Sequence, residues 1–146
     1  MSEPTLNDVM AAYAQDAVDF ARNNFNVELD YTNQSIERVE GIAARLYDAK
    51  PKGFLAKVFR KGPTDEQVQG ICKALGGYIG EVYRRSKGGD WAINQELDAL
   101  GVLFSETWIF PPAKVYKRLA NGPEDNLWIY FRVMLEDRAN SDEADD

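Results

Sequence analysis

The chain contains no histidine. That absence removes Ser-His-Asp and Cys-His catalytic arrangements, most zinc sites, and the side chain best matched to proton transfer near neutral pH. Cysteine is nearly missing as well. Cys72 stands alone, so no intrachain disulfide can form, which fits a reducing compartment. No apolar run approaches the ~18 residues of a membrane span. Met1 to Asn7 is polar and lacks the apolar core of a signal peptide, so the expected location is the cytoplasm. A strongly basic balance is also lacking, which argues against general nucleic-acid binding.

What is present is acidic, and unevenly so. The net charge is −7 over 146 residues. Glu136 to Asp146 holds six acids and one base, and the remainder carries only −2, from 18 acids and 16 bases. The final Ser141-Asp142-Glu143-Ala144-Asp145-Asp146 has nothing sizeable to bury. The expected organisation is one α+β domain over residues 1–138 and a disordered acidic tail over 139–146.

Periodicity places the elements. Leu6, Val9, Met10, Tyr13, Ala17, Phe20 and Ala21 recur at helical spacing, with Thr5 as cap and Asp8 in the first turn. Phe25 to Leu29 reads as a connector or short strand. A second helix follows Thr32 or Asn33, buries Ile36, Val39, Ala43 and Leu46, and stops before Pro51. A third helix opens on the capping-box pattern Thr64-Asp65-Glu66-Gln67 and ends at Gly88-Gly89. Its bulky stripe is Val68, Cys72, Leu75, Ile79 and Val82. Opposite lie Gly70, Ala74, Gly77 and Glu81, a bare face that lets another backbone approach. The runs 91–95, 100–104 and 107–110 are short, β-branched and aromatic, and predict an antiparallel meander whose first turn uses Asp98 to Gly101. Pro112 starts a fourth helix that Gly122 stops, and Pro123-Glu124-Asp125 opens a fifth, to about Asp137. For that last segment a buried strand is the competing reading, because Leu127 to Phe131 is apolar throughout. The predicted fold is α+β, helices packed on a small antiparallel three-stranded meander.

Two sets of residues are candidates for function. Lys50 to Pro63 carries five bases and no acid, and Lys57, Arg60 and Lys61 interleave with Phe54 and Phe59. Bases with aromatics suit an acidic partner, an anionic surface or RNA. The bland alternative is a connector that buries its phenylalanines and wets its lysines. The second set is Tyr78, Glu81, Asp90 and Trp91, placed to frame a groove over the bare helix face. Glu81 with Asp90 is the carboxylate pair best placed for acid–base or metal work, and the bland alternative pairs Glu81 with Arg85 one turn on. Lys114, Lys117 and Arg118 form another basic cluster, read as cations favouring a helix C-terminus. Cys72 reads as a small buried hydrophobe. Gly76-Gly77-Tyr78-Ile79-Gly80 lies within a helical pattern, with no Lys-Ser or Lys-Thr after it, and is no phosphate loop.

The stretches DYTNQSIERVEG (Asp30 to Gly41), LGGYIGEVYRR (Leu75 to Arg85), GGDW (Gly88 to Trp91) and FPPAKVYKRLANGPEDNLW (Phe110 to Trp128) resemble a group of small uncharacterised bacterial proteins that share a domain of unknown function. The resemblance spans about two-thirds of the chain. It implies an α+β fold and a bacterial source, and it brings no activity and no functional residue with it.

The leading expectation is a non-enzymatic protein-binding module, an immunity or adaptor protein, with another protein as partner and no cofactor, metal or catalytic residue. The alternatives are a small-ligand sensor with a groove near Glu81 and Trp91, and a carboxylate- or metal-dependent enzyme. Oligomeric state is left open by the sequence.

Overall fold

The computed structural model describes residues 3–49 and 65–144. In chain order it comprises α1 (Leu6–Phe25), α2 (Ser35–Ala49), α3 (Asp65–Lys87), β1 (Asp90–Asn94), β2 (Ala99–Phe104), β3 (Thr107–Ile109), α4 (Pro111–Asn121), a 3-10 turn (Pro123–Asp125) and α5 (Leu127–Ala144). The sheet is antiparallel in the order β1-β2-β3, and the α+β meander expected from the sequence is the fold observed. Of the stretch read as a connector or short strand, Phe25 closes α1 and Asn26 to Leu29 is a connector. The segment after Pro123 is helical, and its helical backbone continues past the expected end near Asp137 to Ala144. The Thr64 capping box lies outside the described residues.

Local chemistry sets the ends of the elements. The Thr5 hydroxyl accepts from the Asp8 amide at 3.1 Å and the Asp8 carboxylate accepts from the Thr5 amide at 2.9 Å, so two amides that the first turn leaves unpaired find partners. Asn26 ends α1 in the left-handed region, a conformation asparagine tolerates better than most residues. Gly122, at φ 98°, ends α4. Ser105 and Glu106 both have positive φ and close the β2–β3 hairpin in two residues, the backbone that matches strand twist.

The core forms around α3. Every residue from Ala74 to Tyr83 is buried, so this helix has no wet side over nearly three turns. It packs against α1, against α4 and against the sheet, while α2 closes the other side through α4 and α5. Small residues allow the close approaches. Ala14, Ala17 and Ala21 are fully buried on α1. A Cβ on Gly77 would lie 3.3 Å from the Met10 carbonyl, and one on Gly76 2.5 Å from the Pro112 backbone. Gly70, expected to share that close face, has nothing within 4 Å. Val9, expected in the α1 stripe, is 40% exposed, and the buried stripe runs instead through Met10, Ala14, Ala17 and Ala21.

The hairpin register corrects one expectation. Asn94 pairs with Ala99, so the first turn is 95–98 and not Asp98 to Gly101. Gly101 sits inside β2 opposite Ala92. A Cβ there would lie 2.4 Å from the Ile109 carbonyl and 2.7 Å from the Phe110 ring, so this glycine serves a close packing contact rather than a turn. One face of the sheet carries Trp91, Val102 and Ile109, aligned across the three strands and all buried. Because side chains alternate along a strand, Leu103 and Trp108 share the opposite face.

Candidate functional site

Of the four residues expected to frame a groove, Glu81, Asp90 and Trp91 lie around Arg84, while the Tyr78 hydroxyl bonds elsewhere. Glu81 Oε2 accepts from Trp91 Nε1 at 2.9 Å and from Arg84 Nη1 at 2.7 Å. Arg84 also donates through Nε to the Gly89 carbonyl at 2.9 Å and lies 4.0 Å from Asp90. Asn7, on α1, accepts from the Trp91 amide and donates to Asp90. A Cβ on Gly80 would lie 2.1 Å from the Trp91 ring, so helix and strand meet there without an intervening space. Glu81 therefore anchors the first strand to α3. Its partner is Arg84, three residues on, and not Arg85, whose guanidinium lies 3.8 Å over the Tyr31 ring. Tyr78 is tied in the same way: its hydroxyl accepts from the Tyr31 amide at 2.7 Å and lies 2.6 Å from Ser35 Oγ, joining α3 to the start of α2.

Glu81 is thus committed to Trp91 and Arg84, while the Asp90 side chain, 79% exposed, lies 4.0 Å from Arg84. Among the described residues no three His, Cys, Asp or Glu side chains come together to hold a metal ion, and no helix is long and apolar enough to cross a membrane.

Cys72 is buried, and desolvation pushes its thiol up to about 12. Burial does the same to the Tyr130 hydroxyl, also to about 12. The folded chain thus keeps these protons where an unfolded chain loses them. Their contributions to stability are complete below the ordinary values of 9.0 for the thiol and 10.0 for the hydroxyl, and are lost as pH rises from there towards 12. Native protein at mildly alkaline pH is expected to leave Cys72 unmodified by a thiol reagent, and denaturant to expose it. Reaction of the folded chain at the rate of a free thiol would overturn this reading.

The cluster Lys114, Lys117 and Arg118 is not a uniform basic surface. Arg118 is 2% exposed. Its Nε and Nη2 reach both oxygens of Glu40, on α2, at 3.0–3.1 Å. Glu40 Oε1 also accepts from the Leu127 amide at 2.9 Å, the first residue of α5. One carboxylate thus joins α2, α4 and α5, and its negative charge meets the positive end of a helix. Lys114 lies in the first turn of α4 and pairs with Asp125 at 2.8 Å, so the C-terminal dipole reading applies to Arg118 alone. Sequence reasoning missed Glu40. The signal was its position four residues after Ile36 and three before Ala43, within the buried stripe of α2.

Apolar surface stays uncovered at Ile93, at Ile129 and Val133 on α5, and over the outer face of the sheet. Leu103, Trp108 and Phe110 are only half-buried and stand apart from the central core cluster. The Trp108 and Phe110 rings stack in parallel with centroids 5.6 Å apart. Both rings line one hollow of about 350 Å³, and a second of about 350 Å³ adjoins it. One runs between Trp108, Phe110, Tyr130 and Met134, and the other between Leu100, Pro112 and Tyr116. Ala99, Ala113 and Lys117 line both. At the rim Leu97 is 64% and Tyr116 49% exposed.

The partner-binding candidates Phe54, Lys57, Phe59, Arg60 and Lys61 lie outside the described residues. Comparison with family models, with curated proteins and with solved structures returned no match for this chain.

Proposed function

We propose that this chain is a non-enzymatic protein-binding module of the adaptor or immunity type. The observation that carries the proposal is the outer face of the sheet. An antiparallel sheet with one face on the core ordinarily turns polar side chains to water on the other. Here β2 reads Ala-Leu-Gly-Val-Leu-Phe, with no polar residue for either face. The half-buried Leu103, Trp108 and Phe110, and the exposed Leu97 and Tyr116 beside them, form an apolar region of the kind that marks an interaction surface. The absence of histidine and the internal use of Glu81, Arg84, Glu40 and Arg118 support the non-enzymatic part. The groove reading around Tyr78, Glu81 and Trp91 loses its support where Gly80 meets the Trp91 ring.

The test is capture of the tagged chain from its host lysate beside three baits: wild type, Leu97→Asp, and a variant with Lys57, Arg60 and Lys61 changed to Gln. A stoichiometric protein recovered by wild type and lost from Leu97→Asp is the expected result. Loss only from the second variant would move the interface to the basic segment. No stoichiometric protein with any bait would count against the proposal.

A further inference from the structure

We propose that the outer face of the sheet docks an acidic segment of a partner protein, whose aromatic or aliphatic side chains enter the hollow beside Trp108 and Phe110 and the one that adjoins it at Ala99, Ala113 and Lys117. This rests on the protein-binding reading above and names the partner's chemistry.

The charge around the hollows carries the inference. Lys117, exposed on α4, borders both; Lys73 borders one and Lys114 the other. Asp98 is the acid among the lining residues. Lys114 is partly engaged by Asp125 and lies 5.5 Å from the Tyr130 ring. With Lys114 paired to Asp125, the hollows of a chain whose net charge is −7 are left with Lys73 and Lys117 against Asp98, a local excess of positive charge. The long lysine stems extend the apolar surface while their ammonium groups stay wet. Aromatic anchors within a charged rim are the usual anatomy of a docking site.

The same charge separates the possible occupants. The chain's own segment Lys50 to Pro63 has the apolar side chains to fill a hollow, but its five bases repel the lysine rim. A second copy joined through a two-fold axis would set this face against itself, lysines against lysines. A nucleic acid carries a charge on every phosphate and would meet the net negative charge of the chain along its whole length, whereas a peptide can hold its few acids at the lysine rim. An acidic polypeptide gains from the rim and still offers side chains for the hollows, and complementary charge both speeds its encounter and rejects basic competitors.

A library of random dodecapeptides displayed on phage and selected on the full chain tests this. The expected winners carry net negative charge around aromatic or leucine residues. As free peptides they bind wild type roughly tenfold more tightly than Lys117→Glu or Leu97→Asp, and the difference shrinks with salt. Both positions are exposed, so the variants are expected to unfold at the wild-type temperature.

Five results would overturn the proposal. Neutral or basic winners that still depend on Leu97 would leave the protein-binding reading standing and remove the acidic chemistry. Acidic winners that ignore both substitutions would place the site elsewhere. A concentration-dependent dimer broken by Leu97→Asp, or tighter retention of oligouridylate than of any peptide, would assign the face to a second copy or to RNA. No winners from a monomer would remove this proposal and the reading beneath it together.

Discussion

Arg118→Met is expected to destabilise the protein by about 3–5 kcal/mol. The reason is what the substitution leaves behind. Arg118 is 2% exposed and the Glu40 side chain 13% exposed, so removing the guanidinium strands a carboxylate where water reaches it poorly. Glu40→Met is expected to cost at least as much. It strands the buried guanidinium, whose Nη1 already lacks a hydrogen bond, and it takes the acceptor from the Leu127 amide at the start of α5. The double variant Glu40→Met/Arg118→Met is the informative one. Two buried charges leave together and apolar volume replaces them, so it is expected to lose less than the two single changes added. Urea unfolding of the four proteins measures the cycle. Single variants within about 1 kcal/mol of wild type, or strict additivity, would show that the pair does not act as a unit.

The elements whose ends depend on neighbouring residues were legible in the sequence. Thr5 with Asp8 and Gly122 after α4 are local chemistry, and each marks a real boundary. The strands were legible because Trp91, Val102 and Ile109 are residues that fit a pleated surface. What failed is instructive. Helical periodicity separates a wet side from a dry one, and α3 between Ala74 and Tyr83 has no wet side, so the division into a bulky stripe and a bare face described only the sizes of its side chains. Glu40 gives no sign of its role in the sequence and Arg118 reads as a cation at a helix C-terminus, because nothing local joins residues 78 positions apart. Glu81 was drawn to a function because an acid on a bare face is unusual. Its cause is Trp91, whose buried indole N–H needs an acceptor. The apolar outer face was present in the run from Ala99 to Phe104, which alternates nothing. That pattern became meaningful only when the register showed what lies over each face.

Gly80→Ala is expected to destabilise by about 1–3 kcal/mol although alanine is the better helix former. A helix propensity gain of about 1 kcal/mol competes with a Cβ placed 2.1 Å from Cζ2 and 2.4 Å from Cη2 of Trp91. The ring cannot swing away freely. Its Nε1 is bonded to Glu81, its amide to Asn7, and it is 4% exposed. Gly76→Ala is expected to cost as much or more, since the opposing atoms are the Pro112 Cα and N, main-chain atoms that only a shift of α4 would move. Gly41 and Gly70 supply the internal control. They too lie within helices, with nothing within 4 Å of a Cβ, so alanine there is expected to stabilise by up to about 1 kcal/mol. Four thermal or urea midpoints, two lower and two higher than wild type, are the expected result. If Gly80→Ala were stabilising like Gly41→Ala, the helix and the first strand would not be in direct contact. The region around Tyr78, Glu81 and Trp91 would then be open enough to hold a small ligand after all, and the case for the sheet's outer face as the working surface would weaken with it.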